Sequence, residues 1–340
     1  MSACGANACA SYGANGQGFC RAIARQMRYA AALLMTAAPP PVRVCLIDMN
    51  AGVKNEAIRC LHATMAIFER QLRFANPDVP IALTTVSPRD KGDAIPAGHD
   101  LYLSSGGPGS PFDSEGTSWG AEYGTFLDSI YEAHDKNLEG APGLMPICYS
   151  FELIVMHFRV ARLAPRAEKK FGVQPQYTTA AGQSHPLLAM FKDRIFAFEH
   201  RNWDALDPDT KTLSALSGAV LAAESRPDTN DKGESITSVH IGPGIESTLF
   251  HPEADRAGIR VWIDKPEQEA AFKAAYGHLT HERMMRTIEH PERIDRAHKE
   301  VIPGFMRRHV NRLAPLRGWN LIPEPLARAT RPPGTGTPRC

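Results

Sequence analysis

Apolar positions in the first half of the chain alternate between short continuous runs and runs at helical spacing. Val42–Asp48 is almost continuously apolar, which is typical of a strand buried on both faces of a parallel sheet. Residues 54–75 follow with apolar side chains three and four positions apart, the pattern of an amphipathic helix. The same alternation continues with predicted strands at Ile81–Val86, Asp100–Ser104 and Pro146–Cys148 and predicted helices at 117–137 and Ser150–Leu163. This order predicts βαβ units and a parallel, doubly wound sheet.

After Lys170 the pattern changes to strand-like runs separated by Gly, Pro, Asn and Asp. These runs predict antiparallel strands that extend the sheet, with 242–244 (Gly-Pro-Gly) as a hairpin connection. Helical spacing returns from Lys265 to about Leu313, and Pro303 is expected to interrupt the last helix. The predicted strands are Val173–Thr179, Ile195–His200, Leu216–Ala223, Ile236–Ile241 and Ile245–Phe250.

The two ends of the chain lack the apolar periodicity of the middle. Residues 1–41 are rich in Ala, Gly and Ser and end in a Pro triplet, and they predict a disordered or weakly ordered leader. A single α/β domain that includes the C-terminal helices is predicted over 42–322, followed by a disordered tail over 323–340. The apolar segment Tyr29–Ala38 lacks a clean cleavage pattern, so a signal peptide is not favoured.

Composition narrows the classes of function. The formal net charge of +1 over 340 residues gives no general electrostatic reason to expect nucleic acid or an anionic membrane as partner. No apolar run approaches the roughly 20 residues that span a bilayer. Seven cysteines are scattered without a disulfide or zinc pattern, which favours a reducing, cytoplasmic setting. Neither a metal nor a cofactor is expected.

Three segments at predicted strand ends carry candidate chemistry. Cys148 lies between a short strand and an apolar helix, where backbone N–H groups and the helix dipole favour a thiolate. The Gly-rich loop 104–111 can turn its N–H groups toward a developing oxyanion. At the end of the last strand, His251 can take a thiol proton and Glu253 can orient the imidazole. Taken singly, the three segments are better explained as a packed cysteine, a plain turn and a surface loop.

Together, and in this order along the chain, the three segments resemble the class I glutamine amidotransferase family over about residues 42–255. The resemblance implies the flavodoxin-like α/β fold of that family, a mostly parallel central sheet flanked by helices, with antiparallel strands and C-terminal helices appended. It also implies a triad with Cys148 as nucleophile, His251 as general base and Glu253 as the residue that orients the base.

The resemblance further implies a reaction. The thiolate attacks the side-chain amide of glutamine, a small-molecule substrate, and water then hydrolyses the thioester. The backbone N–H groups of Gly107, next to Gly106, and of Tyr149 would hold the oxyanion. His200 lies in a segment that often lines the site in the family, although a structural role is favoured for it. The ammonia would pass to a separate synthase, because no synthetase domain is expected in this chain.

The residues around the cysteine depart from the family pattern Gly-x-Cys-x-Gly-x-Gln. Pro146 removes a backbone donor from a strand, and Ser150 stands where glycine would suit a positive φ. Glu152 replaces the glutamine that helps to hold the substrate. Its carboxylate would repel the α-carboxylate of glutamine, raise the thiol pKa, or select a cationic or amine-bearing substrate instead.

These departures leave two alternatives to a glutamine amidotransferase. One is a thiol hydrolase or acyltransferase that acts on a different amide or ester. The other is a degenerate, non-catalytic member that binds a ligand. The intact cysteine, histidine and glutamate favour an enzyme.

Overall fold

Nine strands form one mixed sheet within residues 38–224 and 235–325, the part of the chain that the computed structural model describes. The strand order is β2-β1-β3-β4-β9-β8-β7-β5-β6. The predicted leader and tail fall mainly outside these ranges, so the domain limits stay predictions. No helix in this part of the chain has both the length and the apolar character needed to cross a membrane.

The first half of the sheet is parallel and comes from the alternating segments of the sequence. Its strands are β1 (Val42–Ile47), β2 (Ile81–Val86), β3 (Leu101–Ser104) and β4 (Gly143–Pro146). The connecting helices are α1 (Ala57–Ala75), α2 (Pro88–Lys91) and α3 (Ser118–Asp135), with a 3-10 turn at Pro111–Ser114. The predicted βαβ alternation of this half is confirmed.

Side chains of β1 show how helices cover both faces of the sheet. Val44 and Leu46 point into one core with α1, whereas Cys45 and Ile47 point into a second core with α3. All four side chains are fully buried. Because successive side chains of a strand face opposite sides, the continuous apolar run of β1 is explained by burial on both faces.

The second half of the sheet is antiparallel. It consists of β5 (Arg162–Thr178), β6 (Arg194–Leu206), β7 (Ala219–Ala223), β8 (Ile236–Ile241) and β9 (Ile245–Thr248). β9 is antiparallel to β8 and parallel to β4, so it joins the two halves. The described strands make four parallel and four antiparallel pairings, and the sheet is therefore mixed rather than mostly parallel.

Several predicted boundaries were wrong. β4 ends at Pro146 rather than Cys148, β5 begins at Arg162 rather than Val173, and β6 continues to Leu206 rather than His200. The helix after the cysteine, α4 (Tyr149–Phe158), ends before Leu163 because Arg159 takes a left-handed conformation with φ 54°. Leu216 does not begin a strand but follows α6 (Thr210–Ala215), and the short helix α5 (Ala180–Ser184) lies between β5 and β6. The hairpin predicted at 242–244 is confirmed, since Ile241 pairs with Ile245.

Four helices follow β9 in the described part of the chain: α7 (Arg256–Ile263), α8 (Pro266–Tyr276), α9 (His278–Glu289) and α10 (Arg293–Arg317). The expectation that Pro303 interrupts the last helix was wrong, because α10 continues through Pro303 and Pro315. A proline inside a helix costs about 3 kcal/mol. The side chains of Val301, Ile302 and Phe305 are fully buried in the core shared with α1, and each contributes about 1.5–3 kcal/mol.

Candidate active site

Cys148 lies at a sharp turn between β4 and α4. Its backbone has φ 52° and ψ −107°, an uncommon conformation for a residue other than glycine and one that costs about 1–3 kcal/mol. Two hydrogen bonds hold the turn: Cys148 N–H donates to the Thr248 carbonyl of β9 at 2.8 Å, and Glu152 N–H donates to the Cys148 carbonyl at 3.0 Å. The positive φ therefore falls on the cysteine itself, whereas Ser150 lies in the first turn of α4.

The Ser150 hydroxyl ties this turn to the end of β3. It donates to the Ser105 carbonyl at 2.7 Å and lies 2.8 Å from Oγ of Ser104, which also accepts a hydrogen bond from the Tyr123 hydroxyl at 3.0 Å. All four side chains are buried. The serine at this position thus fastens the cysteine turn to the sheet through its side chain, which glycine cannot do.

Pro146 explains why β4 pairs with β9 at few positions. Leu144 N–H donates to the Gly244 carbonyl and Cys148 N–H to the Thr248 carbonyl, both at 2.8 Å. Pro146 lies between these two donors and has no N–H to give to the same neighbour. The strand end is therefore held at two points on either side of the proline.

His251 and Glu253 lie just beyond the end of β9, where two other elements hold them. The carboxylate Oε1 of Glu253 is 2.7 Å from Nδ1 of His251 and is almost fully buried. His251 N–H donates to the Phe198 carbonyl of β6 at 2.8 Å, and Nδ1 of His298 on α10 donates to the Glu253 carbonyl at 2.8 Å. The bond to Glu253 leaves Nε2 as the ring nitrogen that can exchange a proton with another group.

The charges around His251 favour its protonated form. Burial lowers the pKa of the imidazole, but the negative charges of Glu253 and Cys148 and the hydrogen bonds of both side chains to the ring outweigh burial. The pKa of His251 is therefore raised well above 6.5. The raised pKa keeps the ring in the form that can donate a proton to a leaving group.

Gly106 and Gly107 bring the loop after β3 against this pair. A Cβ on Gly106 would lie 2.9 Å from Cε1 of His251 and 3.2 Å from Cβ of Cys148, so both side chains converge on this glycine. A Cβ on Gly107 would lie 2.0 Å from the Met49 carbonyl oxygen. Within the described residues, neither the Gly107 N–H nor the Tyr149 N–H donates a hydrogen bond. Both donors are thus available to a ligand.

A cavity of about 630 Å³ opens over Cys148 and His251. Its lining includes Glu152 and His200 together with aromatic side chains of β6 and α7: Phe198, Trp203 and Trp262. Burial, then the charges of Lys169 and His251, lower the pKa of His200 to about 4, so this imidazole is neutral. Its ring packs edge-on against Trp262 at 5.2 Å. His200 thus forms part of the cavity wall.

Glu152 lines the same cavity and is only 3% exposed. Burial raises the pKa of its carboxyl to about 8, although Arg201 and His251 oppose the shift, and Asp204 adds to it. In the described ranges, no group of three or more His, Cys, Asp or Glu side chains is placed to hold a metal ion.

No protein-family model and no curated protein sequence matches the chain. Solved structures do match it. A glutamine amidotransferase from Thermotoga maritima superposes with a TM-score of 0.52 at 15% identity, covering 79% of this chain and 98% of its own. A glutamine amidotransferase from Methylobacillus flagellatus gives a TM-score of 0.52 at 13% identity over 85% of this chain and 100% of its own. The chain has the fold of the glutamine amidotransferases.

The amidotransferase fold places all eight residues predicted from the sequence around one cavity or beside it. They are Cys148, His251, Glu253, Gly106, Gly107, Tyr149, Glu152 and His200. Sequence reasoning missed the aromatic wall and Arg201, which also lines the cavity. The dense aromatic and charged run from Phe198 to Asp204 was a signal that could have pointed to Phe198, Trp203 and Arg201.

Proposed function

We propose that the chain is a glutamine amidotransferase-like thiol enzyme in which Cys148 attacks the side-chain amide of glutamine. One observation carries the proposal: Cys148 and His251 converge on Gly106 in one cavity, and Nδ1 of His251 lies 2.7 Å from the Glu253 carboxylate. The strained backbone of Cys148 also supports the proposal, because strained residues persist only where the surrounding structure holds them, and they cluster at active sites.

The proposed reaction starts with the thiol proton already on Nε2 of His251, whose charged form Glu253 stabilises. The thiolate attacks the amide carbonyl carbon, and the oxyanion that forms accepts hydrogen bonds from Gly107 N–H and Tyr149 N–H. The imidazolium then protonates the leaving nitrogen as the carbon–nitrogen bond breaks. Ammonia departs, and a γ-glutamyl thioester remains on Cys148.

The thioester is hydrolysed in the second half of the reaction. His251 removes a proton from a water molecule, which attacks the thioester carbonyl, and glutamate leaves as the thiolate is restored. The same two N–H groups hold the second oxyanion. The released ammonia is proposed to pass to a separate synthase that aminates an acceptor.

A second candidate is a thiol hydrolase or acyltransferase that acts on a larger amide or ester. The cavity of about 630 Å³ offers more room than a glutamine side chain fills, and Trp203 and Trp262 give it aromatic walls. Such walls favour an apolar or aromatic substituent on the substrate. A purely non-catalytic ligand-binding role has no comparable observation in its favour.

Covalent labelling tests both candidates. The protein is incubated with a glutamine-like diazo-ketone, and the added mass is located by peptide mass spectrometry. The proposal expects labelling at Cys148 that is lost in His251→Ala and kept in Cys45→Ala, a control that removes a buried thiol on β1. Ammonia release from glutamine is measured in parallel.

The outcomes separate the candidates. Labelling at Cys148 together with ammonia from glutamine supports the amidotransferase. Reaction of Cys148 with other amides or esters, without turnover of glutamine, favours the second candidate. A Cys148 that stays unlabelled by every electrophile contradicts both.

A further inference from the structure

We propose that Glu152 is uncharged in the free protein near neutral pH and holds the substrate as a side-chain amide would, with its O–H donating one hydrogen bond and its carbonyl oxygen accepting another. The inference rests on the proposed function, since it assigns Glu152 a role in binding the amide substrate. It makes Glu152 a specificity-determining residue at the position where the family carries glutamine.

The position of Glu152 brings its side chain to the reacting centre. Glu152 lies in the first turn of α4, and its N–H donates to the Cys148 carbonyl, so the two residues are one helical turn apart. Both line the cavity, and Glu152 is 3% exposed. A carboxyl that lines a substrate cavity but is shielded from bulk solvent must find its partners in the protein or in the substrate.

The cation that acts most strongly on Glu152, Arg201, is already neutralised. Its guanidinium is fully buried and donates to Glu199 Oε2 at 2.8 Å, to Glu224 Oε2 at 2.8 Å and to Asp204 Oδ1. Arg166 contacts Asp204 and Glu224, and Lys170 contacts Glu224. The members of this buried cluster are three cations and three carboxylates: Arg166, Lys170, Arg201, Glu199, Asp204 and Glu224.

Because the charges of this cluster balance one another, it offers no unpaired cation to a fourth carboxylate. A buried charge without a partner is strongly unfavourable, and a carboxyl in that position takes up a proton instead. Of the other charged groups that face Glu152, His251 beyond β9 favours ionisation, whereas Asp204 on β6 opposes it. Tyr149 on α4 also interacts with the charge of Glu152, which helps to raise the pKa of the phenol. Burial is the largest cause that raises the pKa of Glu152, to about 8, and a carboxyl with this pKa is uncharged at neutral pH.

A neutral carboxyl resembles a primary amide in shape and in hydrogen bonding. It offers one donor and one acceptor, whereas a carboxylate offers acceptors alone and carries a charge. The neutral form therefore avoids repulsion of a substrate that carries a carboxylate, such as glutamine. The neutral carboxyl of Glu152 suits an amide substrate that carries an anionic or hydrogen-bond-accepting group near its reacting amide. Such a substrate would bind below the pH at which Glu152 ionises.

The test is the pH dependence of kcat and KM for ammonia release from glutamine between pH 6 and 10. The KM of the wild type is expected to rise about tenfold per pH unit above about pH 8, as one proton is lost. Glu152→Gln is expected to abolish that rise, and Glu152→Ala to raise KM at every pH. Glu132→Gln, at an exposed site on α3, is the matched control and should follow the wild type.

A wild-type KM that stays flat through pH 10, or a Glu152→Gln profile that rises like that of the wild type, overturns the inference. A protein that releases no ammonia from glutamine refutes the proposed function instead. The charge of Glu152 is then read from a carbon-13 NMR titration of the glutamate carboxyls, assigned with Glu152→Gln. A midpoint near 8 supports the inference, and a midpoint below 6 overturns it.

Discussion

Replacing Ser150 by Gly, the residue that the amidotransferase pattern carries at this position, is expected to destabilise the protein. The hydroxyl is fully buried, and it donates to the Ser105 carbonyl at 2.7 Å and contacts Ser104 Oγ at 2.8 Å. Removal of the hydroxyl leaves a buried carbonyl without this donor, at a cost of about 1–3 kcal/mol. Glycine in the first turn of α4 adds about 0.5 kcal/mol. The expected loss is therefore about 1.5–3.5 kcal/mol.

Urea unfolding followed by tryptophan fluorescence measures this loss. Ser150→Ala removes the hydroxyl and keeps the helical side chain, so it should account for most of the effect. Ser129→Ala is the matched control, because the Ser129 hydroxyl donates only to the Phe126 carbonyl of its own helix at 2.7 Å. We expect a change below about 0.5 kcal/mol for that control. A Ser150→Gly protein as stable as the wild type would show that the hydroxyl does not fasten the turn.

Three further predictions concern the site and the sheet. Gly107→Ala forces the loop away from the Met49 carbonyl and should lower kcat for ammonia release by about 10²–10³, whereas Gly304→Ala, whose nearest contact is 3.4 Å, should not. Glu253→Gln should lower the pKa of His251 in an NMR titration. The raised pKa of His251 contributes to the free energy of unfolding. This contribution is complete below about pH 6.5 and is lost as pH rises through the pKa of the folded state, and Glu253→Gln should reduce it. Burial raises the pKa of Glu246, but the hydrogen bond with His309 and the charge of Arg308 outweigh burial and bring the pKa to about 2. Stability from this group is therefore lost as pH falls from about 4.5 toward 2, and Glu246→Gln should flatten that loss in circular dichroism.

The parallel half of the fold could be predicted because its signals are local. The apolar run of β1 and the helical spacing of α1 each lie within one element, and each reflects burial in a two-sided core. Cys148 and the Gly-rich loop follow predicted parallel strands, whose carboxyl ends meet at one edge of the sheet. His251 follows a strand that was predicted to be antiparallel, so its place beside Cys148 was expected from the family resemblance and not from this rule.

The rest of the fold and site depends on contacts between distant parts of the chain. The length of β5 was missed because its polar residues, including Arg166 and Lys170, look like a loop until Glu224 and Asp204 pair with them. The course of α10 through Pro303 depends on burial against α1, and local propensity cannot show that burial. The uncharged state suggested for Glu152 likewise arises from neighbours that sequence spacing does not bring together.

The seam between β4 and β9 has a consequence for how the protein folds. Cys148 and His251 follow these two strands. The strands are separated along the chain by the other strands of the antiparallel half, and Pro146 reduces the number of backbone hydrogen bonds between them. Pairings between distant segments form slowly, because the loop must close before the contacts stabilise it. A chain that has folded its parallel half first would therefore expose β4 as an unpaired edge. That edge is open to aggregation until β9 pairs with it.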